Sequence, residues 1–269
     1  NAMESINKMV NCELDHRGVA RVTLNRPDKH NAFDDVMIST LDQIFSSLDE
    51  DHRVRVVVLQ ANGKSFSAGA DAAWMKRMAN FSVEENQRDA RCLATMLEKL
   101  NTLSKPTIAR VQGAAFGGAI GLIACCDMAV GTKLSKFCLS EVRIGLIPAT
   151  ISPYVIAAMG ARVCRRYFQT AEMFSARRAR RLGLLSEVVT EDELDDTIEG
   201  LIAALLNNGP QAMSRAKLLI CDMANRSVDE QLMDETSQRI AEIRVSDEGQ
   251  EGLTAFLEKR RPAWQEKTE

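Results

Sequence analysis

Residues Pro106–Asp127 read PTIARVQGAAFGGAIGLIACCD and decide the fold of this chain. The apolar, β-branched run Thr107–Val111 predicts a buried strand, and the small and apolar residues Gly118–Cys126 predict a buried helix. The glycine-rich segment Gly113–Gly118 turns the chain from that strand into that helix. The first N–H groups of the helix have no helical partners, so they favour an anion beyond the turn. Close packing of helix on strand is the alternative, since these glycines form neither a dinucleotide fingerprint nor a phosphate loop.

A second turn built from small residues lies at Ser65–Met75, which reads SFSAGADAAWM. It follows the predicted strand Val54–Leu59, and Ala70 and Asp71 open the next predicted helix. Asp71 fits a helix N-cap better than a catalytic group. Side chains as small as these let the backbone itself approach a ligand. Two backbone N–H groups from separate strand-to-helix turns are a common way to bind a developing oxyanion.

A third segment, Leu139–Pro148, reads LSEVRIGLIP and places the acidic residue Glu141 in a largely apolar setting. A carboxylate in such a setting tends to have a raised pKa, which suits a general acid or base. The chain has three histidines, all in polar segments: His16, His30 and His52. Acid–base chemistry is therefore expected to depend on carboxylates.

The composition limits the classes of function. With 269 residues, 45% of them hydrophobic, the chain can bury one domain and an appendage. A net charge of −3 and a pI near 5.8 argue against nucleic acid as a partner, and the apolar runs are too short to span a membrane. Seven cysteines at irregular spacing predict free thiols in a reducing cytoplasm and no metal site. Met3–Lys8 has no apolar core, so we expect no signal peptide.

Together the three segments resemble the crotonase family, also called the enoyl-CoA hydratase/isomerase superfamily. The similarity extends from Val19–Pro27 (VARVTLNRP) to Glu251–Arg260 (EGLTAFLEKR). It implies an α/β fold in which a spiral of ββα units, residues 3–199, holds the active site and the CoA site. Residues 200–269 would then form a helical region that drives oligomerisation and closes over CoA. The helices expected near and within this region are Leu194–Leu206, Pro210–Met223, Val228–Val245 and Gly249–Lys259.

The resemblance also implies roles for single residues. The thioester carbonyl of an acyl-CoA substrate would lie between the N–H groups of Ala70 and Gly118, with Glu141 as the acid–base group. Trp74 would line the acyl pocket, although ordinary core packing accounts for it equally well. The family's CoA-contacting positions fall on Lys29, Ala32, Ala68, Ala70, Gly118, Phe256 and Lys259. A solvated loop charge is the alternative for Lys29, and an ordinary amphipathic helix is the alternative for Phe256. The partners implied are the acyl-CoA substrate and a homotrimer or dimer of trimers, with no separate cofactor.

One position departs from the family's pattern. Hydratases of the family usually have two glutamates, and the first falls here on Gly121, so Glu141 is left as the single carboxylate. A single base suits a double-bond isomerase as well as a hydratase. The segments Ala115–Gly121 and Leu139–Pro148 nevertheless resemble bacterial 3-methylglutaconyl-CoA hydratases, which predicts hydration of a branched, carboxylated enoyl-CoA.

The distal carboxylate of such a substrate requires a cation, and Arg143 is the nearest candidate. If the segment is a strand, alternation places Arg143 and Glu141 on the same face. A surface ion pair is the alternative role for Arg143, and Arg165 and Arg166 are weaker candidates. A non-catalytic CoA-binding or RNA-binding member of the family is the competing hypothesis from another class. The presence of Glu141 and the acidic charge balance argue against it.

Overall fold

The computed structural model describes residues 9–265, so the expectation for Met3–Lys8 lies outside the described residues. Nine strands are formed within this range: β1 Val10–Leu14, β2 Val19–Leu24, β3 Val56–Ala61, β4 Thr107–Val111, β5 Ala114–Phe116, β6 Met128–Thr132, β7 Lys136–Cys138, β8 Phe174–Ser175 and β9 Glu187–Val189.

Eleven α-helices are formed within the same range: α1 Asp35–Glu50, α2 Ala72–Met78, α3 Val83–Asn101, α4 Gly118–Cys125, α5 Ser152–Met159, α6 Ala161–Thr170, α7 Ala176–Leu182, α8 Leu194–Leu206, α9 Pro210–Met223, α10 Glu230–Val245 and α11 Asp247–Glu258. Short 3₁₀ helices lie at Pro27–Lys29, Glu141–Ile144 and Glu191–Glu193.

The strands form two sheets. The larger sheet has the order β1-β2-β3-β4-β6-β9 and is parallel except for the β1–β2 hairpin. The smaller sheet has the order β5-β7-β8, with β5 and β7 parallel. The chain passes from β4 in the larger sheet to β5 in the smaller one and then into α4. This succession is a ββα turn, and it confirms the predicted α/β spiral.

The larger sheet is buried on both faces, as parallel strands require. One face packs against the main core, to which α1, α3 and α4 contribute. The other face presents Val56, Val58 and Ile108 to Ile198 and Ile202 of α8. Residue 200 lies within α8, the helix that packs on this face. The division of the chain at residues 199 and 200 stays a prediction.

The predicted bounds of β4, α8 and α9 agree with the structure. The strand predicted at Val54–Leu59 is formed two residues later, as Val56–Ala61. The turn predicted at Gly113–Gly118 contains an additional strand, β5, because its backbone pairs with β7 far along the chain. This strand is what holds the glycine turn in place.

Candidate active site

The two glycine turns are joined by backbone hydrogen bonds. Ser67 and Ala115 form a parallel bridge, in which the Ser67 N–H donates to the Ala114 carbonyl at 3.1 Å and the Phe116 N–H donates to the Ser67 carbonyl at 3.0 Å. A methyl group built on Gly117 would lie 4.0 Å from the Gly69 Cα atom. Gly69 and Gly117, which are far apart in the sequence, therefore meet at one point.

Both turns depend on glycine at this meeting point. Gly69 has a φ angle of +100°, and Gly117 has φ and ψ angles of +55° and −122°. Residues with a Cβ atom avoid both conformations. The absence of side chains leaves the backbone open toward the site from both directions.

Backbone N–H groups without an acceptor among residues 9–265 directly follow both of these glycines. They belong to Ala70 and Gly118, for which the structure gives no hydrogen bond from the amide nitrogen. The neighbouring N–H groups of Gly69, Asp71 and Gly117 all donate, to the Ser67 hydroxyl at 3.2 Å, the Phe33 carbonyl at 2.6 Å and the Cys138 carbonyl at 2.9 Å, respectively. The Ala70 and Gly118 N–H groups are fixed in place by these neighbouring hydrogen bonds and have no acceptor themselves, as the donors of an oxyanion site would be.

Glu141 lies directly beside these donors. Its Oε1 atom would be 3.0 Å from a methyl group on Gly117, so the carboxylate occupies space that a glycine leaves open. Its Oε2 atom is buried and has no hydrogen-bond partner among the described residues. Burial raises the pKa of Glu141, and a hydrogen bond from its own backbone N–H opposes that shift in part. A raised pKa without an ion-pair partner is a feature that carboxylates acting as general acids or bases share.

The position of the missing second carboxylate is filled by an apolar side chain. A Cβ atom on Gly121 would lie 2.2 Å from the Ile151 Cγ2 atom and 2.7 Å from the Ile151 Cβ atom. Ile151 is 2% exposed, so it has no open space into which to move. A glutamate at position 121 is therefore incompatible with this packing. The sequence indicates the missing carboxylate, but the contact with Ile151 joins residues that are far apart along the chain and has no local signal.

The loop between β2 and α1 lies against the Ala70 turn. The Ala68 N–H donates to the His30 carbonyl at 2.9 Å, and the Ser67 hydroxyl donates to the Asn31 carbonyl at 2.8 Å. Lys29 and Ala68 are exposed and Ala32 is half-buried. The structure thus brings the predicted CoA-contacting residues Lys29, Ala32 and Ala68 into one pair of loops beside the site, and their contact with CoA stays a prediction.

Asn31 is a supporting residue that sequence reasoning missed. Its side chain is fully buried, and its Nδ2 atom donates to the Asn62 and Ser65 carbonyls at 2.8 and 2.9 Å. Its φ angle is +54°, a conformation that asparagine tolerates better than most residues. A local signal does exist, because an asparagine between a polar loop and a helix is a frequent turn residue.

The structure corrects the argument made for Arg143. Residues Glu141–Ile144 form a 3₁₀ helix rather than a strand. With three residues per turn, residues 141 and 143 point in different directions, so the same-face argument is wrong. The Arg143 Nη2 atom donates to the Ala171 carbonyl at 2.7 Å, at the C-terminal end of α6. The alternative of a surface ion pair is not seen among the described residues either.

The remaining predicted residues lie as follows. Asp71 is the N-cap of α2 and accepts from the Trp74 N–H, which confirms the cap interpretation. Trp74 is 7% exposed, packs in the main core, and donates from its indole Nε1 to Asp89 at 3.3 Å. Phe256 lies in α11 and is 80% exposed, and Lys259 caps the end of that helix. Their contact with CoA stays a prediction.

Metal-ligand clusters and membrane-spanning helices are both absent from residues 9–265. Within this part of the chain, no group of three or more histidine, cysteine or acidic side chains is arranged to hold a metal ion. Across the same residues, none of the helices is both long enough and apolar enough to cross a membrane.

A spiral α/β fold with two unoccupied backbone donors and a half-buried carboxylate between its turns matches the class of enzymes that stabilise an oxyanion with backbone N–H groups. The sequence profile of the family described as enoyl-CoA hydratase/isomerase matches residues 15–267, and the chain belongs to this family, the crotonase superfamily. A crystal structure of an enoyl-CoA hydratase from Shewanella pealeana is 48% identical, with a TM-score of 0.94 and coverage of 98% of each chain.

Two relatives by sequence extend this result. The short-chain-enoyl-CoA hydratase of Clostridium acetobutylicum is 30% identical over 245 residues, which are 90% of this chain and 92% of the relative. A Thermus thermophilus protein named "Putative enoyl-CoA hydratase" is 32% identical over 254 residues, which are 94% of this chain and 99% of the relative. Each alignment covers at least 90% of both chains, so the similarity extends far beyond a single motif.

Proposed function

We propose that this protein hydrates an α,β-unsaturated acyl-CoA, and that its substrate is 3-methylglutaconyl-CoA or a related branched, carboxylated enoyl-CoA. The observation that carries the proposal is the pair of unoccupied N–H groups, Ala70 and Gly118, beside the half-buried carboxylate of Glu141, whose Oε2 atom is enclosed. The reaction belongs to the hydro-lyases, and the acyl-CoA enters as substrate without a further cofactor. The placement of the distal part of CoA on Lys29, Ala32, Ala68, Phe256 and Lys259 belongs to the same proposal.

The proposed reaction carries one proton through a single group in two transfers. The Glu141 carboxylate takes a proton from water as the water oxygen bonds to C3 of the enoyl chain. The electron pair of the double bond moves to the thioester oxygen, where the Ala70 and Gly118 N–H groups stabilise the enolate. The protonated Glu141 then gives its proton to C2, which collapses the enolate and restores the carbonyl. Because Ile151 packs against Gly121, no second carboxylate can stand at position 121 and take over one of the proton transfers.

The same observation favours a second candidate, an enoyl-CoA isomerase. A single carboxylate can remove a proton from C2 of a 3-enoyl-CoA and return it to C4, with the same oxyanion donors holding the dienolate. The family description names both hydratases and isomerases. The two candidates differ in what happens to the conjugated double bond, because hydration removes it and isomerisation of a 3-enoyl-CoA creates it.

The experiment that separates them follows the absorbance of the conjugated enoyl thioester. We expect rapid loss of absorbance with 3-methylglutaconyl-CoA and a kcat/KM at least about 10-fold lower with crotonyl-CoA, which lacks the distal carboxylate. A rise in absorbance with a 3-enoyl-CoA, without hydration of either conjugated substrate, would replace the hydratase proposal by the isomerase. Hydration of crotonyl-CoA with equal efficiency would leave the reaction in place and overturn the carboxylated substrate.

Arg143 points away from Glu141, but it is exposed and only two residues along the chain, so we keep it as the proposed cation for the distal carboxylate. Arg143→Met tests this role. Since a hydrogen bond to a charged group contributes about 1.5–3 kcal/mol, we expect kcat/KM for 3-methylglutaconyl-CoA to fall about 10- to 100-fold. The value for crotonyl-CoA should stay within about 2-fold, because that substrate presents no carboxylate to lose. Arg166→Met is the control, since the Arg166 guanidinium is already bound to Glu172 by two hydrogen bonds of 2.9 Å. Equal losses on both substrates would show that Arg143 does not read the carboxylate.

The pH dependence of the reaction should report the buried carboxylate. Glu141 must be ionised to accept a proton from water, and burial raises its pKa above that of an exposed glutamate. We therefore expect kcat/KM to fall on the acid side of neutrality, at a higher pH than an exposed carboxylate would cause. Rates measured between pH 4.5 and pH 9 with the fastest substrate check this. An acid limb at the pH of an ordinary glutamate would contradict it.

The assembly and the cellular compartment are further parts of the proposal. A homotrimer, alone or as a dimer of trimers, is favoured by apolar side chains that the C-terminal helices expose, among them Leu218 at 54%, Ile220 at 70% and Leu257 at 77%. Residues 200–269 would supply this interface. A cytoplasmic location is favoured by the seven cysteines, all of which are free. The mass in solution, measured by light scattering, tests the assembly.

A further inference from the structure

Arg26 lies between two aspartates that each begin a helix. Its Nη2 atom is 3.2 Å from Asp71 Oδ2, and its Nη1 atom is 3.6 Å from Asp34 Oδ2. The exposed fractions of the Arg26, Asp34 and Asp71 side chains are 15%, 13% and 12%. Each aspartate uses its other oxygen for its own helix: Asp34 Oδ1 accepts from the Met37 N–H at 2.8 Å, and Asp71 Oδ1 accepts from the Trp74 N–H at 3.1 Å. One guanidinium therefore ties the starts of α1 and α2 together.

These contacts surround Phe33, the residue that bridges to Ala70. Arg26 Nη1 donates to the Ala32 carbonyl at 2.9 Å, so the guanidinium contacts the residues on both sides of Phe33, Ala32 and Asp34. Phe33 in turn donates its N–H to the Gly69 carbonyl at 2.7 Å and accepts from the Asp71 N–H at 2.6 Å. Arg26 thus binds the residues that flank Phe33 on one side of the bridge, and it binds Asp71, which follows Ala70, on the other side.

The direction of the Ala70 N–H follows from this bridge. The Gly69 carbonyl and the Ala70 N–H belong to one planar trans peptide group, in which they point in opposite directions. Because the Gly69 carbonyl is fixed toward the Phe33 N–H, the Ala70 N–H is aimed away from Phe33. A shift of Phe33 would rotate that peptide plane and the donor with it. A backbone donor contributes to an oxyanion site only when it is aimed before the charge develops.

We propose that Arg26 is a positioning residue, which aims the Ala70 N–H at the thioester oxygen by holding Phe33 and Asp71. The inference rests on the proposed oxyanion role of Ala70. The hydrogen bond from the Trp74 N–H and the positive charge of Arg26 also hold the pKa of Asp71 below its usual range, so that Asp71 stays ionised for this contact. Without the guanidinium, the carboxylates of Asp34 and Asp71 no longer have a positive charge beside them.

Arg26→Met removes the charge and all three contacts while keeping an unbranched apolar side chain. Because a small displacement of a catalytic donor costs about 10²-fold in rate, we expect kcat to fall about 10²-fold while KM changes less than about 3-fold. Arg26→Lys keeps the charge and should recover part of kcat. Arg17→Met is the matched control. Arg17 lies on the β1–β2 turn and also binds two acids, Asp15 and Glu199, each at 2.8 Å. That variant should keep the wild-type kcat with a similar loss of melting temperature.

A spectroscopic measurement tests the direction of the Ala70 N–H without depending on the stability of the variant or on which substrate the enzyme prefers. Butyryl-CoA labelled with ¹³C at the thioester carbonyl does not react, and hydrogen bonds from an oxyanion site lower its carbonyl stretching frequency. We expect a lowered frequency in the wild-type protein and a value nearer to free butyryl-CoA in Arg26→Met, with Arg26→Lys between them.

An unchanged bound frequency in a folded, ligand-binding Arg26→Met would overturn the positioning role. If that variant does not fold, a wild-type frequency in Arg26→Lys together with wild-type kcat would do the same. A wild-type protein that binds butyryl-CoA without any shift would overturn the oxyanion role of Ala70 and Gly118 itself.

Discussion

Glu141→Gln is expected to lower kcat for the preferred enoyl-CoA about 10³-fold, within the range by which a positioned general acid–base group accelerates a reaction. The amide fills nearly the same space beside Gly117 but accepts no proton from water and delivers none to C2. The expected loss lies in kcat rather than in KM, because the oxyanion donors and the CoA loops remain. Steady-state rates of wild type and variant on one substrate provide the measurement.

The same substitution is expected to raise stability at neutral pH. Burial raises the pKa of Glu141 in the folded protein, so the folded state binds this proton more tightly than the unfolded state. The stabilisation from that proton is complete below the unfolded-state pKa and is lost as pH rises through the folded-state pKa. A neutral glutamine avoids this loss, so the melting temperature of the variant should exceed that of wild type near pH 7–8, with the difference shrinking in acid.

Glu13→Gln serves as the control, since Glu13 is exposed on β1. It should leave both kcat and the melting temperature close to their wild-type values. Wild-type kcat in Glu141→Gln would remove Glu141 from the chemistry. A variant less stable than wild type at every pH would instead show that the carboxylate has a structural partner.

Gly117→Ala is the second substitution with a large expected effect. The φ and ψ angles of Gly117, +55° and −122°, disfavour any side chain, and the new methyl group would lie 3.0 Å from Glu141 Oε1. We expect a loss of about 1–3 kcal/mol of folding free energy from the backbone strain and a fall in kcat of at least about 10²-fold. The fall has two causes, since both Glu141 and the adjoining Gly118 N–H must move.

Gly160→Ala separates these effects. Gly160 also has a positive φ angle, +87°, but a methyl group there would meet no atom within 4 Å among the described residues. Its loss of stability should resemble that of Gly117→Ala, while its kcat stays close to wild type. Chemical denaturation and steady-state kinetics on the same preparations decide the matter. If both variants lost activity equally, strain alone would account for the effect at Gly117.

The parts of the site that depend on local pattern can be predicted from the sequence. The turns at Ala70 and Gly118 are recognisable because small residues between a strand and a helix leave the backbone open to a ligand. The Asp71 cap and the ends of α8 and α9 are predictable for similar reasons, since caps and helical periodicity are local. Glu141 stands out by its apolar surroundings, and its burial beside Gly117 agrees with that reasoning.

The parts that could not be predicted depend on distant contacts. The strand β5 resembles a turn in the sequence because its partners, Ser67 and β7, are remote from it along the chain. The argument for Arg143 assumes that the strand β7 continues, whereas the chain leaves it for a 3₁₀ helix. Arg26 has no distinguishing local pattern, because one of its aspartates lies 45 residues away. Hydrophobic patterning carries no information about which acid a given arginine will meet.

The proposed oxyanion site is made of main-chain atoms alone, and this has a consequence for how such a protein can diverge. Substitution of a side chain cannot delete the Ala70 or Gly118 N–H unless it introduces proline or distorts the turn. Neighbouring positions such as Gly121 and Ile151 are therefore free to vary in concert while enolate stabilisation is inherited unchanged. During evolution, substitutions at such pairs can change the substrate range and the number of carboxylates that transfer protons. The backbone donors of the proposed oxyanion site stay the same.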